Sequence, residues 1–242
     1  MMPSTTLQLH DVTSVFDFSQ SLSETTVSET PAALTEALLP EITDSFWLLV
    51  STNALINTTE TQVLRMILER ALPGGVSIAL DVDWRPDRWG LAGNAAPTSE
   101  VLRRFRPLAQ SAQFIRCGVD EAEAFFSSAD PAMIQERLPQ RPAVLITDRT
   151  GGLLWSIGGR KGRMAPMLVE DHDTFLVRLL DNLCSHPTLL GNAGPGIDAI
   201  ADPDALAEQL LSAAAPIDTS ADCLKSDQSA HGAYLAEHDH AR

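Results

Sequence analysis

From residue 46 onward, short apolar runs alternate with stretches in which hydrophobic residues recur at helical spacing. Four apolar runs have the length of buried strands, and they cover residues 46–50 (FWLLV), 76–82 (VSIALDV), 113–117 (QFIRC) and 142–147 (PAVLIT). Buried strands separated by helical patterns indicate successive βα units. The pattern therefore predicts an α/β fold, doubly wound around a mainly parallel sheet.

The helices are delimited by residues that favour helix ends. Asn57 can cap one helix, with Glu60 three residues later completing a capping-box pattern. Asp202 followed by Pro203 has the pattern of another helix start. The predicted helices cover residues 58–72, 99–108, 119–126, 131–138, 173–184 and 203–214. Residues 153–167 instead predict a β-hairpin that turns at Gly158 and Gly159.

The ends of the chain have a different composition. Residues 1–45 are rich in Ser, Thr and acidic side chains, and only residues 34–39 suggest a short helix. Residues 216–242 are polar and have almost no core-forming side chains, which is typical of a disordered tail. We predict a poorly defined segment over 1–45, one α/β domain over 46–215 and a disordered tail over 216–242.

The charge balance narrows the range of partners. Asp and Glu number 32 against 17 Lys and Arg, so the formal net charge is −15, which repels nucleic acids and anionic lipid surfaces. The three cysteines are far apart and form no CxxC pair. No apolar run approaches the ~18 residues of a membrane span, and no secretory signal pattern is visible. These features predict a cytoplasmic protein with neither nucleic acid nor membrane as a partner.

An acidic cluster lies directly before the helix predicted at residue 173. It consists of Glu170, Asp171, His172 and Asp173. Carboxylates in the first turn are favoured by the helix dipole, at roughly 0.3–1 kcal/mol each, so an ordinary helix start would explain them. The same side chains could instead ligate a metal ion if further oxygen ligands converged on them. Composition leaves both interpretations open.

Two loops follow the ends of apolar strands, where ligands bind in doubly wound sheets. In DVDWRPDRW (81–89), Asp83 and Arg85 could bind a polyol or a phosphate, although an Arg stacked on a Trp in a surface loop would look the same. In TDRTGG (147–152), the backbone could bind phosphates, or the glycines could simply open a hairpin.

The remaining candidates have plain structural explanations. Cys117 lies inside a predicted strand, which favours a small core residue over a nucleophile, since the sequence places no histidine beside it. His231, His238 and His240 could chelate an adventitious metal, but the composition favours an ordinary solvated tail.

Taken in order, these segments resemble the ribokinase-like (PfkB) carbohydrate kinases, and most closely the fructokinases. The resemblance covers residues 46–174 and resumes over 194–211. The family motif DxNxRPxxW is present as DVDWRPDRW, and NxxE is present with Glu121 kept and Gly118 in place of Asn. The turn VTxGxxG is present as ITDRTGG, which keeps Thr147 and Gly152.

The acidic cluster occupies the position of the family motif DTTGAGDAF. Asp173 and Phe175 are kept, whereas Glu170, Asp171 and His172 stand at the GAG positions. In the family the GAG backbone forms an anion hole at a helix start, and the Asp is the base that takes the proton of the sugar hydroxyl.

The resemblance implies ATP-dependent phosphorylation of a sugar, a ketohexose of the fructose type, with Mg²⁺. By this resemblance Asp173 is the base, and Glu121 supports magnesium and the cofactor. Asp83 and Arg85 are substrate ligands, and Thr147 and Gly152 lie beside the nucleotide. The family's N-terminal lid and sugar-binding segment have no match in residues 1–44, and a monomer is expected because the family often dimerises through that lid.

The residues at the GAG positions favour a second hypothesis. Phosphoryl transfer is catalysed chiefly by positioning and by stabilising dispersed negative charge, which two carboxylates would oppose. Side chains there also obstruct the close approach of a backbone to phosphate. On this hypothesis the chain is a catalytically degenerate kinase paralogue, either a binding or interaction protein or a decaying copy.

Overall fold

The computed structural model describes residues 14–24, 30–165, 172–191 and 200–215, with the backbone alone for residues 23, 24, 172 and 173. The strands are β1 Val15–Asp17, β2 Trp47–Ser51, β3 Ser77–Val82, β4 Phe114–Gly118, β5 Ala143–Thr147, β6 Leu153–Ile157 and β7 Arg160–Met164. The α-helices are α1 Phe18–Glu24, α2 Pro31–Thr43, α3 Thr58–Ala71, α4 Ser99–Ser111, α5 Val119–Phe126, α6 Pro131–Arg137, α7 His172–Ser185 and α8 Pro203–Ala214. Short 3₁₀ turns cover Thr52–Leu55, Leu72–Gly74, Pro86–Trp89 and Pro187–Leu190.

The described strands form one seven-stranded sheet in the order β1 to β7. β1 to β5 are parallel, and β6 and β7 continue the sheet as an antiparallel hairpin. The register places Asp81 opposite Arg116 and Gly118 opposite Thr147. The predicted α/β fold with a mainly parallel sheet is confirmed, and the carboxyl ends of the parallel strands share one edge.

Helices cover both faces of the sheet. One core is built from α1 to α6 and alternate strand residues such as Leu80 and Ile115, as expected when successive right-handed crossovers run in one direction. The other core is built from α7 and α8 against residues such as Trp47 and Leu145. Side chains alternate along a strand, so Asp81 and Arg116 lie on the face covered by α7 and α8.

The segment before residue 46 is part of this unit, which differs from the sequence interpretation. β1 pairs in parallel with β2, and Phe18 and Ile42 are fully buried. α2 is capped by Thr30, whose hydroxyl accepts a hydrogen bond from the N–H of Ala33 at 3.3 Å. Among the described residues, the α/β unit therefore includes β1, α1 and α2. A strand of three residues is too short for its periodicity to be recognised in sequence.

The elements predicted after residue 46 are present, with ends shifted by at most three residues. The hairpin turns at Gly158 and Gly159, both with positive φ.

Cys117 is 1% exposed, and burial raises the pKa of its thiol, which agrees with a core role. The described helices include none that is both long and apolar enough to cross a bilayer. The predicted tail over 216–242 lies outside the described residues.

Candidate functional site

Two cavities open at the edge of the sheet where the parallel strands end. The β1–β3 cavity has a volume of about 290 Å³ and is lined by Asp17, Ser19, Leu49, Ser51, Asn53, Asp81, Asp83, Arg85, Arg88, Leu176 and Val177. The β3–β5 cavity has a volume of about 410 Å³ and is lined by Val82, Asp83, Arg116, Gly118, Val119, Asp120, Glu121, Thr147, Asp148 and Arg149. Asp83 lines both, so the two cavities adjoin.

Asp83 and Arg85 lie where the sequence analysis placed them, just after the carboxyl end of β3. One oxygen of Asp83 accepts a hydrogen bond from Asn53 Nδ2 at 2.8 Å, and the other accepts from Arg85 Nε at 2.9 Å. The hydroxyl of Thr52 donates to the Asp83 carbonyl at 2.8 Å. The loop after β2 therefore orients the Asp83 carboxylate toward both cavities.

An ion pair between Asp81 and Arg116 lies between the cavities. Arg116 Nη1 is 2.8 Å from Asp81 Oδ1 and 2.9 Å from Oδ2, and the side chain of Asp81 is only 11% exposed and that of Arg116 only 15%. Asp81 lines the β1–β3 cavity, and Arg116 lines the β3–β5 cavity. Sequence reasoning missed this pair, because charged residues in two apolar runs can be matched only when the register is known.

Glu121, predicted to support magnesium, holds two loops together. Its carboxylate accepts hydrogen bonds from the N–H of Trp84 at 2.8 Å and from the N–H of Gly118 at 2.6 Å. Burial raises the pKa of Glu121 above its ordinary value of 4.5, and the two backbone donors oppose that rise. Among the described residues, no group of three or more His, Cys, Asp or Glu side chains could hold a metal ion.

Thr147 lines the β3–β5 cavity, but Gly152 is held in the turn behind it. The Asp148 carboxylate accepts hydrogen bonds from the N–H of Gly152 at 2.8 Å and from the N–H and hydroxyl of Thr150 at 2.8 and 2.6 Å. These bonds lower the pKa of Asp148 to about 2. A β-carbon on Gly152 would lie 2.8 Å from Asp148 Oδ2, so this position accepts only glycine without rearrangement.

Helix α7 begins at His172, and Leu176 and Val177 in its second turn line the β1–β3 cavity. Asp173 belongs to the first turn, and its side chain lies outside the described residues, as do Glu170 and Asp171. The helix start is therefore beside the cavity. The roles predicted for Asp173 and for the acidic cluster remain predictions.

The charges around the β3–β5 cavity are predominantly negative. Four carboxylates line it, together with two arginines, Arg116 and Arg149. Arg149 Nη2 lies 2.5 Å from Asp120 Oδ1, which lowers the pKa of Asp120, and Arg116 is bonded to Asp81. Both arginines thus already have a carboxylate partner.

Several polar residues of the β1–β3 cavity were also missed by sequence reasoning. Asp17, Ser51 and Asn53 all lie at or just after a strand end. The signal that could have found them is a polar residue directly after an apolar run, which at Ser51 and Asn53 follows FWLLV. Asp17 had no such signal because its strand was not recognised.

Comparison with known proteins shows which fold this is. No protein-family model and no curated protein sequence matches the chain. A PfkB protein from Polaromonas sp. JS666 superimposes with a TM-score of 0.56 at 19% identity, over 77% of this chain and 57% of that one. A fructokinase from Xylella fastidiosa gives 0.57 at 16% identity, over 78% and 56%. The chain has the ribokinase-like fold of the PfkB carbohydrate kinases.

The resemblance seen in the sequence is thus confirmed at the level of the fold. An aminoimidazole riboside kinase from Salmonella enterica, complexed with aminoimidazole riboside and an ATP analog, gives a TM-score of 0.50 at 19% identity, over 69% of this chain and 53% of that one. The Xylella fastidiosa fructokinase also has a structure with bound ATP. The chain spans just over half the length of these PfkB-type structures.

Proposed function

We propose that the protein is a carbohydrate kinase, which transfers the γ-phosphoryl group of ATP to a hydroxyl of a fructose-type ketohexose. The observation that carries the proposal is the pair of adjoining cavities at the carboxyl edge, which share Asp83 and are separated by the Asp81–Arg116 pair. Transfer between two substrates requires sites that place the reacting atoms about 3–3.5 Å apart. Adjoining cavities with a shared carboxylate allow two substrates to lie side by side, which is the arrangement that such a transfer needs.

In this proposal the β1–β3 cavity takes the sugar. Its carboxylates and the Asn53 amide suit hydroxyl groups, and Asp83 and Arg85 are substrate ligands. Asp173, in the first turn of α7 beside this cavity, is the base that takes the proton from the attacking hydroxyl. General-base catalysis of this kind contributes typically about 10²–10⁴-fold to the rate.

The β3–β5 cavity takes the phosphates, with Thr147 and Arg116 on its walls and Gly152 supporting the turn. Magnesium would enter with ATP, because Mg²⁺ in kinases is held largely by substrate phosphates and a few carboxylates. The described residues do not form a metal site of their own, and Glu121 already accepts two backbone hydrogen bonds. The magnesium role predicted for Glu121 therefore stays a proposal, and no catalytic step depends on it here.

A second candidate function is sugar binding without phosphoryl transfer. Carboxylates outnumber arginines around the β3–β5 cavity, and both arginines are ion-paired. A triphosphate would have to displace these pairs in a negatively charged setting. On the sequence resemblance, Glu170 and Asp171 stand at the GAG positions, where carboxylates would oppose the negative charge of a phosphate. Sugar binding without transfer is one form of the degenerate-paralogue hypothesis, the form in which the chain acts as a binding protein.

One experiment separates the two functions. Phosphorylation of fructose with ATP and Mg²⁺ is measured for the wild type, for Asp173→Asn and for the control Asp44→Asn, which makes the same charge change at the exposed end of α2. A kinase predicts turnover that falls at least about 100-fold in Asp173→Asn and not in the control. Calorimetric binding of fructose without turnover supports the second function. Neither binding nor turnover would refute both.

A further inference from the structure

β7 is the last strand of the sheet, and its outer edge pairs with no other described strand. The two-residue turn before β7 closes on Ile157 and Arg160, so these two residues exchange backbone hydrogen bonds. Backbone direction alternates along an antiparallel strand, so Lys161 and Arg163 direct their N–H and C=O groups away from β6. No described backbone group outside the sheet bonds to them. β7 therefore presents a free backbone edge.

β7 is also a basic strand in an acidic protein. Its sequence, RKGRM, contains three of the chain's 17 Lys and Arg residues and no acidic residue, whereas the whole chain has a net charge of −15. Side chains alternate between the two faces of a sheet, so Lys161 and Arg163 lie on one face. Arg160 lies on the other face, where its Nε donates to the carbonyl of Ala201 at 3.0 Å. One face of the free edge thus carries two neighbouring cationic side chains.

Both of these side chains are accessible to a partner. Lys161 is exposed and makes no ion pair with a described residue. Arg163 Nη2 lies 3.2 Å from Asp148 Oδ2, but the Arg163 side chain is 71% exposed, and an ion pair so open to solvent contributes little and is easily exchanged. No residue of β7 lines the β1–β3 or the β3–β5 cavity. The edge is therefore separate from the sites proposed for sugar and nucleotide.

The charges determine which kind of strand can pair with this edge. Residues directly opposite each other on neighbouring strands stabilise a sheet when their charges differ in sign and destabilise it when they agree. Antiparallel pairing of β7 from two copies about Gly162 would set Lys161 opposite Arg163, an arrangement that opposes edge-to-edge association. A strand with carboxylates at alternate positions would instead place one carboxylate opposite each cation.

We infer that the free edge of β7 is a docking site for an extended acidic segment of a partner protein. The segment adds to the sheet as an antiparallel strand, and its alternate carboxylates lie opposite Lys161 and Arg163. Main-chain hydrogen bonds supply affinity in this mode of recognition, and the charged side chains supply the selection of partner. The docking site does not depend on the proposed kinase activity, because it uses none of the residues assigned to that reaction.

The test measures peptide binding to the full chain by fluorescence polarisation. The probe is a fluorescein-labelled peptide of about ten residues, in which Glu alternates with Thr, a residue that favours strands. One matched peptide has Lys in place of Glu, and another keeps Glu but is N-methylated at the Glu nitrogens, which removes the donors that would face β7. Measurements are made at about 20 mM salt, where screening of surface charges is weak.

The protein variants change the charge of the edge without touching either cavity. Lys161→Glu reverses one charge, and Lys161→Gln only removes it. The control Arg65→Glu makes the same reversal on the exposed surface of α3. Circular dichroism checks that each variant is folded.

We expect the wild type and Arg65→Glu to bind the Glu–Thr peptide at least about tenfold more tightly than the Lys–Thr peptide. Lys161→Glu should weaken binding of the Glu–Thr peptide about tenfold, and Lys161→Gln by a smaller factor, since an unfavourable pair replaces a favourable one only in the first. N-methylation should weaken binding at least about tenfold, because the main-chain hydrogen bonds are lost.

Equal binding of the Glu–Thr peptide by the wild type and Lys161→Glu would overturn the inference. Equal binding of the methylated and unmethylated peptides would also overturn it, since the contact would then be one of charge alone and not strand addition. Failure of the wild type to bind the Glu–Thr peptide would overturn it as well, and would leave the cationic side chains as protection of the edge against association.

Discussion

Breaking the Asp81–Arg116 pair should destabilise the fold strongly when one partner is removed, and removing both partners should cost less than the sum of the two single changes. The perturbation is a cycle of Asp81→Asn, Arg116→Met and the double variant. Each single change leaves one charged group in a site where the side chains are 11% and 15% exposed. The double change removes both charges and keeps much of the side-chain volume.

The expected magnitude follows from the geometry of the pair. Removing one partner of a buried ion pair costs about 3–5 kcal/mol, because the remaining charge is left without compensation. The pair lies at the walls of two cavities, where water reaches part of it, so we expect about 2–4 kcal/mol for each single variant. The double variant should cost less than the sum of the two, with a coupling energy of about 1–3 kcal/mol.

The assay is urea unfolding, followed by circular dichroism and tryptophan fluorescence. For a unit of this size, 1 kcal/mol corresponds to roughly 2–4 °C in Tm, so each single variant should also melt about 5–15 °C lower. The three free-energy changes must come from transitions with the same m-value. Additivity of the single variants within about 0.5 kcal/mol would refute the reasoning, since it would mean that the two side chains do not depend on each other.

Three further predictions concern single positions. Because burial raises the pKa of Glu121 above 4.5, the stability that this group contributes is lost as the pH rises, so the unfolding free energy of the wild type relative to Glu121→Gln should fall as the pH rises above about 4.5. Asp148, with its pKa lowered to about 2, should behave oppositely: urea titrations should show the wild type losing stability relative to Asp148→Asn below about pH 4. Gly162→Ala would place a β-carbon 2.0 Å from a ring atom of Trp155 and should cost about 3 kcal/mol in urea unfolding, whereas Gly74→Ala, which meets nothing within 4 Å, should be nearly neutral.

The elements after residue 46 could be predicted because their signals are local. Asn57 caps α3 through a hydrogen bond from the N–H of Thr59 at 2.8 Å, and Asp202 caps α8 through the N–H of Asp204 at 3.0 Å, both where the sequence pattern placed a helix start. The hairpin turns at the two glycines that favour positive φ. Residues within a few positions of each other decide all these features.

The candidate site was only partly predictable. Asp83, Arg85, Glu121 and Thr147 do line the cavities at the carboxyl edge. The carboxylate of Glu121, however, accepts N–H groups from loops that follow two different strands. The hydrogen-bond partners of Glu121 are set by the packing of β3 against β4. A motif comparison can assign a role to Glu121, but it does not show which hydrogen bonds the carboxylate already accepts in the folded protein.

The sequence by itself determined the order of strands and helices, the helix caps and the edge at which polar residues collect, since these follow from periodicity and from local backbone preferences. Only the tertiary structure decided the partnership of Asp81 with Arg116, 35 residues apart, and the insertion of β1 beside β2. Strand register and the pairing of a three-residue strand depend on contacts between segments that are far apart in sequence. These contacts stabilise the chain only when the sheet has formed. The charge balance of both cavities is a consequence of that pairing.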